Sequence, residues 1–296
     1  MATDISFDMA RKLLPPRPEN SHKGTYGHVF VLAGAPGFTG APAMVCMGAY
    51  RAGAGLVTAG VPAPAAGIAT AHIVEAMTLH LPATGNGVLG PDAVEAALAF
   101  ARDKAAVAIG PGLTQDADAV RFVHAFLRAC SVPLVIDADG LNAVSRDTSI
   151  LREIAPPCIL TPHPGEMARL AGLSTKEVQA DRGQVAEAFA REHGCVVVLK
   201  GWRTVVAAAT GDRYTNTTGN AGMASGGTGD VLCGVVASLL AQGLAPDAAA
   251  RLGVYVHGLA GDYAAAEKTQ RAMMARDLLD SLPTAWRQLE AEAPVP

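Results

Sequence analysis

Aromatic residues make up only 5% of this 296-residue sequence and charged residues only 17%. With a net charge of −4 there is no long-range attraction for nucleic acid or an anionic membrane, so any anionic ligand must be held locally. The five cysteines, Cys46, Cys130, Cys158, Cys195 and Cys233, form no C-x-x-C pair and are odd in number, which fits a reduced, cytoplasmic protein. Met1–Asp8 carries Asp4 and Asp8 where a secretory leader has a basic and then an apolar region, so none is expected. The most apolar helical stretch, Val231–Ala241, is too short to cross a bilayer. Internal repeats, low-complexity tracts and charge blocks are absent, and the Gly/Pro loop within His28–Met44 lacks both the GxxxxGK[ST] spacing of a P-loop and the GxGxxG of a dinucleotide fingerprint.

What is abundant is apolar and small. Hydrophobic residues reach 50%, enough to bury a large core and to hide further apolar surface in an oligomer. Short β-branched runs alternate with Ala-rich stretches, the pattern of an α/β fold whose mostly parallel sheet carries helices on both faces. Strands are expected at His28–Ala33, Leu56–Gly60, Ala105–Ile109, Leu134–Asp137, Cys158–Thr161, Cys195–Lys200 and Thr204–Ala208. Helices are expected at Ala41–Ala52, Pro91–Lys104, Ala117–Ala129, Thr175–Glu192, Asp230–Ala241 and Pro246–Lys268. A turn between Thr204–Ala208 and Asp212–Thr215 predicts one hairpin within the parallel order. One domain over residues 1–296 is the simplest organisation, with a tail at Ala291–Pro296 expected to fray.

Chemistry belongs in the loops after the strands, where open α/β sheets bind ligands. GNAGMASGGTGD, Gly219–Asp230, runs directly into a helical segment; its glycines let amide N–H groups turn inward beside a positive helix terminus, which makes an anion hole. Asp230 could merely cap that helix, but an acid beside a phosphate site is unfavourable unless it has a task, and proton abstraction is one. TPHPGE, Thr161–Glu166, fixes His163 between two prolines as a candidate ligand contact; Glu166 could serve only the dipole of a helix that Pro164 begins. In LKGWRT, Leu199–Thr204, a strand delivers Lys200 as a point charge for phosphate and Thr204 as a hydrogen-bonding group. GPGL, Gly110–Leu113, permits close approach of a ligand to backbone. Asp137 and Asp139 in DADG could hold a hydrated Mg²⁺ through water, with helix capping as the alternative for Asp139.

In this order, and with TPHPGE paired to GN-x-GMA-x-GGTGD, the sequence resembles the NAD(P)H-hydrate dehydratase family over about residues 10–280. The resemblance implies a ribokinase-like fold and a lyase that uses ADP, or ATP, and Mg²⁺ to dehydrate the S-epimer of hydrated NADH or NADPH. It assigns Asp230 as catalytic base and substrate contact, with Ala41, Gly112 and His163 as further substrate contacts. Lys200, Gly201, Trp202, Arg203 and Thr204, together with Gly226, Gly227, Thr228 and Gly229, fall to the nucleotide. It implies no resident metal ligand set, a homo-oligomer such as a tetramer, and a separate epimerase as functional partner. The sequence departs from the family at AGAPGFTGA, where many relatives have a Gly-Gly-Ser form, and it is too short at its start for the epimerase domain that many bacterial relatives carry there. The competing expectation is a small-molecule kinase of the same fold, of the hydroxyethylthiazole or hydroxymethylpyrimidine type.

Overall fold

A computed structural model describes residues 2–291; the expected frayed tail, from residue 292 on, lies outside the described residues. Ten strands form one sheet: β1 (Thr3–Ile5), β2 (His28–Leu32), β3 (Leu56–Pro62), β4 (Met77–Leu81), β5 (Ala106–Ile109), β6 (Leu134–Ile136), β7 (Cys158–Leu160), β8 (Val196–Leu199), β9 (Val205–Ala207) and β10 (Arg213–Asn216). Their order is β1-β10-β9-β8-β7-β6-β5-β2-β3-β4. Every pairing is parallel except the two made by β9, so the expected hairpin supplies the reversed strand.

The strand residues alternate strictly between two cores. Val29, Val31, Ala106, Ala108, Val135 and Val198 face one way, onto the helices Gly40–Arg51, Thr228–Ala241, Pro246–Lys268 and Ala275–Glu290. Phe30, Leu32, Val107, Ile109, Ile136 and Leu199 face the other way, onto Val94–Ala101, Ala117–Ala129, Asp139–Val144, Pro164–Ala171 and Arg182–His193. A sheet buried on both faces explains why its strands read as continuous apolar runs.

Several elements depart from the sequence reading. The helix expected at Thr175–Glu192 is two, Thr175–Ala180 and Arg182–His193, because Asp181 accepts a hydrogen bond from the Gln184 N–H at 2.9 Å and starts a new helix. The expected Pro91–Lys104 helix begins with a 3₁₀ turn and is α-helical only over Val94–Ala101. β1, β4 and the helices Phe7–Lys12, Ala63–Ala71 and Ala275–Glu290 had no counterpart in the reading. Among the described residues, no helix is long and apolar enough to cross a membrane.

The chain winds from β2 outward through β3 to β4, then returns to place β5 on the other side of β2 and continues to β8. The loops after β2, β5, β6, β7 and β8 therefore open at the same carboxyl edge, around a switch point between β2 and β5.

Candidate active site

The helix Thr228–Ala241 crosses the helix Gly40–Arg51 at backbone contact. A Cβ on Gly234 would collide with the Val45 carbonyl, and one on Gly48 would lie 2.5 Å from the Val231 carbonyl oxygen. This contact fixes the start of the helix, where Gly227 adopts φ +92° and the first helical bond runs from the Val231 N–H to the Gly227 carbonyl. The amides of Thr228, Gly229 and Asp230 thus have no helical carbonyl to donate to and are free for an anion. The Thr228 hydroxyl donates back to the Met223 and Ser225 carbonyls at 2.8 and 2.9 Å, tightening the glycine turn.

Asp230 follows in the first helical turn, partly accessible, and its carboxylate accepts no hydrogen bond among the described residues. Burial, reinforced by the charge of Asp137 and opposed by Lys200, pushes its pKa up to about 7. Lys200 Nζ donates to Asp137 Oδ1 at 2.7 Å and stands 3.9 Å from Glu166 Oε2. Burial works to lower the Lys200 pKa, yet Asp137 and Glu166 outweigh it and the net direction is up, so the ammonium stays charged. A Cβ placed on Gly229 would lie 3.4 Å from that Nζ, which brings the glycine turn, Lys200 and Asp137 into one cluster.

On one side of the cluster is a cavity of about 490 Å³. Lys200, Gly201, Trp202, Arg203, Thr204, Thr228 and Gly229 all line it, so most of the expected nucleotide residues converge. Gly226 and Gly227 do not line it. A Cβ on Gly226 would meet nothing within 4 Å, whereas one on Gly227 would face Ala275 and Met44. Two side chains of the set are already engaged: Thr204 Oγ1 donates to the Gly201 carbonyl at 2.9 Å, and the Arg203 guanidinium pairs with Asp4 of β1 at 2.7 Å. Trp202 stands 85% exposed at the rim, a flat apolar face presented to the cavity's contents.

Beyond the ends of β7, β5 and β2 lie the expected substrate residues. His163 caps the helix Pro164–Ala171: its Nδ1 accepts from the Gly165 and Glu166 N–H groups at 3.0 and 3.3 Å. A ring whose Nδ1 accepts carries its proton on Nε2, and burial with the nearby Lys200 charge lowers its pKa, so the half-exposed imidazole offers a neutral N–H donor. Glu166, itself pushed up to about 7 by burial against the pull of Lys200, accepts the His163 N–H at 2.7 Å. Gly112 packs on the Gly40–Arg51 helix, since a Cβ there would sit 3.1 Å from that of Ala41. The Gly34 N–H donates to the Pro111 carbonyl, and the Thr114 N–H donates to Asp139 at 2.9 Å, lacing the loops after β2, β5 and β6 together. Neither Ala41 nor Gly112 lines the cavity. Ala138, not Asp139, occupies the cap position of the helix Asp139–Val144, and Asp139 acts by holding Thr114.

Among the described residues, three of the four non-glycine residues with positive φ, Thr114, Ala138 and Arg203, sit in these loops. Strain of this kind persists where a site holds it.

Several contributors carry no local signal in the sequence. Arg182 donates to the Trp202, Leu199 and Lys200 carbonyls at 2.5, 2.7 and 3.0 Å and braces the cavity wall. Asp262 accepts the Gly219 N–H and the Asn220 side chain, each at 2.9 Å. Buried His257 lines the cavity with Nε2 2.8 Å from the Thr228 carbonyl, and burial lowers its pKa to about 4, which keeps it neutral.

Among the described residues no three His, Cys, Asp or Glu side chains converge on a metal position. Asp137 is engaged by Lys200, while Asp139 is engaged by Thr114 and Asn142. That donor set suits Mg²⁺ arriving with phosphate oxygens and its own water, the usual habit of this ion.

Comparison with known proteins agrees with this architecture. The chain is 49% identical over 282 residues, 95% of its length, to a bifunctional NAD(P)H-hydrate repair enzyme of Moorella thermoacetica, of which it covers 53%. The chain thus spans about half the length of the first curated relatives it matches. It is 35% identical to an ADP-dependent (S)-NAD(P)H-hydrate dehydratase of Bacillus subtilis, covering 95% of this chain and 96% of that one. The crystal structure of an ADP/ATP-dependent NAD(P)H-hydrate dehydratase from B. subtilis, co-crystallized with ATP and Mg²⁺, superposes with a TM-score of 0.83 at 31% identity, covering 98% of this chain and 99% of that one. The fold is ribokinase-like. With residues 29–284 matching the family described as NAD(P)H-hydrate dehydratase, the chain belongs to that family.

Proposed function

We propose that this protein uses ADP, or ATP, to dehydrate the S-epimer of hydrated NADH and NADPH, acting as one domain over residues 1–296. The observation that carries the reading is the position of Asp230: an acid that accepts no hydrogen bond among the described residues, next to Gly229 of the cavity wall and within the electrostatic reach of Asp137 and Lys200. The cavity takes the nucleotide, with Trp202 against the base. Ala41, Gly112 and the Nε2–H of His163 contact the hydrated dinucleotide on the other side.

Asp230 accepts the proton of the ring hydroxyl, and the freed oxygen bonds to the terminal phosphorus of ADP as the bond to AMP breaks. Amides of the turn, including those of Gly226, Gly227 and Gly229, stabilise the charge on the transferring group. Asp137 and Asp139 would hold Mg²⁺ through its water, and the ion would supply charge neutralisation to the phosphates. Electron push from the ring nitrogen expels phosphate, and loss of a proton from the neighbouring ring carbon restores the conjugated dihydronicotinamide.

The test supplies hydrated NADH or NADPH with Mg²⁺ and ADP or ATP. Near-ultraviolet absorbance of reduced nicotinamide returns, with one phosphate and one AMP, or ADP, per turnover. A stable phosphorylated product from a vitamin precursor, without that absorbance, favours the small-molecule kinase instead.

The pH profile follows from the site. Only the ionised Asp230 accepts a proton, and its pKa is raised to about 7, so kcat/KM climbs as pH rises through about 7 and levels above. Glu166 ionises over the same range, so the limb reports the two carboxylates together. An acid limb centred near pH 4 counts against Asp230 as base.

Self-association into a tetramer is supported by apolar side chains left exposed near the edge strand β4, with Ile68, Val74 and Met77 at 57%, 88% and 46%. A separately encoded epimerase is the proposed functional partner.

A further inference from the structure

Two capping boxes with a glutamate as the third helical residue occur among the described residues, and they differ in burial and in charge partners. At Ser174–Glu177 the glutamate accepts the Ser174 N–H at 2.7 Å, lies exposed, and pairs with no cation among the described residues. At His163–Glu166 the glutamate makes the same 2.7 Å bond, but its side chain is 6% exposed and stands 3.9 Å from Lys200 Nζ. Its second oxygen is 3.5 Å from His163 Nε2. Capping asks only for an acceptor, which a neutral glutamine supplies equally well. A carboxylate taken out of water for that purpose alone is unfavourable, so the charge at residue 166 answers to Lys200.

Lys200 belongs to the cavity wall and His163 to the opposite side of the cluster. Glu166 is the side chain that touches both, and each contact is made by a short, packed segment: the turn before the helix Pro164–Ala171 and the end of β8. We propose that Glu166 is a positioning residue that couples the two ligand subsites, tying the His163 end to the Lys200 wall so that filling one pre-organises the other. This rests on the assignment of the dinucleotide to His163 and the nucleotide to the cavity.

Coupling of this kind is reciprocal and is read as one factor from either side. Calorimetry on the full chain, with AMP and NADPH as probes, measures each affinity alone and with the other ligand saturating. In the wild type each ligand tightens the other by about tenfold, within the usual range for linked sites. In Glu166→Gln the amide oxygen keeps the His163 bond while the charge pair is lost. Each ligand alone then binds within about threefold of wild type, and the mutual tightening falls below about twofold. Glu166→Asp serves as a second variant: it keeps the charge but is too short to hold both contacts, and it loses the tightening as well.

A merely structural Glu166 lowers both separate affinities and the melting temperature in both variants while leaving the tightening factor unchanged, and that result overturns the proposal. Wild-type binding of both ligands without mutual tightening also overturns it while leaving the proposed activity intact. Failure of the wild type to bind either ligand removes both.

Discussion

Asp230→Asn lowers turnover by about 10²–10⁴-fold while the fold and the nucleotide affinity persist. The amide keeps the volume and position of the carboxylate at the start of the helix Thr228–Ala241, but it cannot take the hydroxyl proton. The same substitution raises stability at and above neutral pH. Burial lifts the folded-state pKa of Asp230 to about 7, well above its ordinary 3.8, so between those values the folded protein holds a proton that the unfolded chain has released. Stability therefore drains away as pH rises through that window, and asparagine removes the drain. Paired assays of single-turnover rate and of melting temperature against pH read both effects. Activity within a few-fold of wild type removes Asp230 as base, and a melting temperature that drops at pH 8 removes the electrostatic account of its environment.

Lys200→Met unsettles the molecule before it weakens any ligand. From sequence, Lys200 reads as a point charge for phosphate, with its loss falling mainly on nucleotide binding. In the structure its ammonium first serves Asp137, which is 1% exposed, and then Glu166. Removing one partner of a buried pair costs about 3–5 kcal/mol, because the other charge is left without compensation. For a chain of this length that lowers the melting temperature by roughly 5–15 °C. Adding Asp137→Asn to Lys200→Met restores part of the loss, since no unpaired charge then remains, and a double-mutant cycle measures the recovery. An unchanged melting temperature in Lys200→Met shows that the ammonium is solvated and free.

The strands buried on both faces were legible because they read as uninterrupted apolar runs, and each of β2, β5, β6, β7 and β8 lies within a residue or two of its expected place. β1, only three residues long, is too short to show a pattern; β4 alternates apolar and polar residues over Met77–Leu81, a signal of a half-buried strand that the reading passed over because the run is short and lies at the sheet edge. The helix Ala275–Glu290 contains Pro283, a local signal against the very element that forms. At the site, glycines and prolines announced the turns because backbone geometry is written into those residue types. The partners that steady the turns were silent: Arg182, His257 and Asp262 lie within ordinary helical segments, and only the tertiary fold brings them to the carbonyls and amides they hold. The same limit hid the pairing of Lys200 with Asp137, 63 residues apart in the chain.

The close helix crossing at Gly48 and Gly234 places the proposed base and the proposed nucleotide wall in parts of the molecule that open at very different rates. Residues Val231–Ala241 are buried without interruption, so their amides exchange with solvent only when the whole domain unfolds. Gly201, Trp202 and Arg203 lie exposed on a hairpin tip held from one side by Arg182, and their amides exchange through local opening. On the proposed assignment, warming or mild denaturant therefore loosens the hairpin of the nucleotide wall while Asp230 is still in register. Inactivation starts as a rising KM for the nucleotide at steady kcat, and only later, with global unfolding, does the chemistry itself disappear.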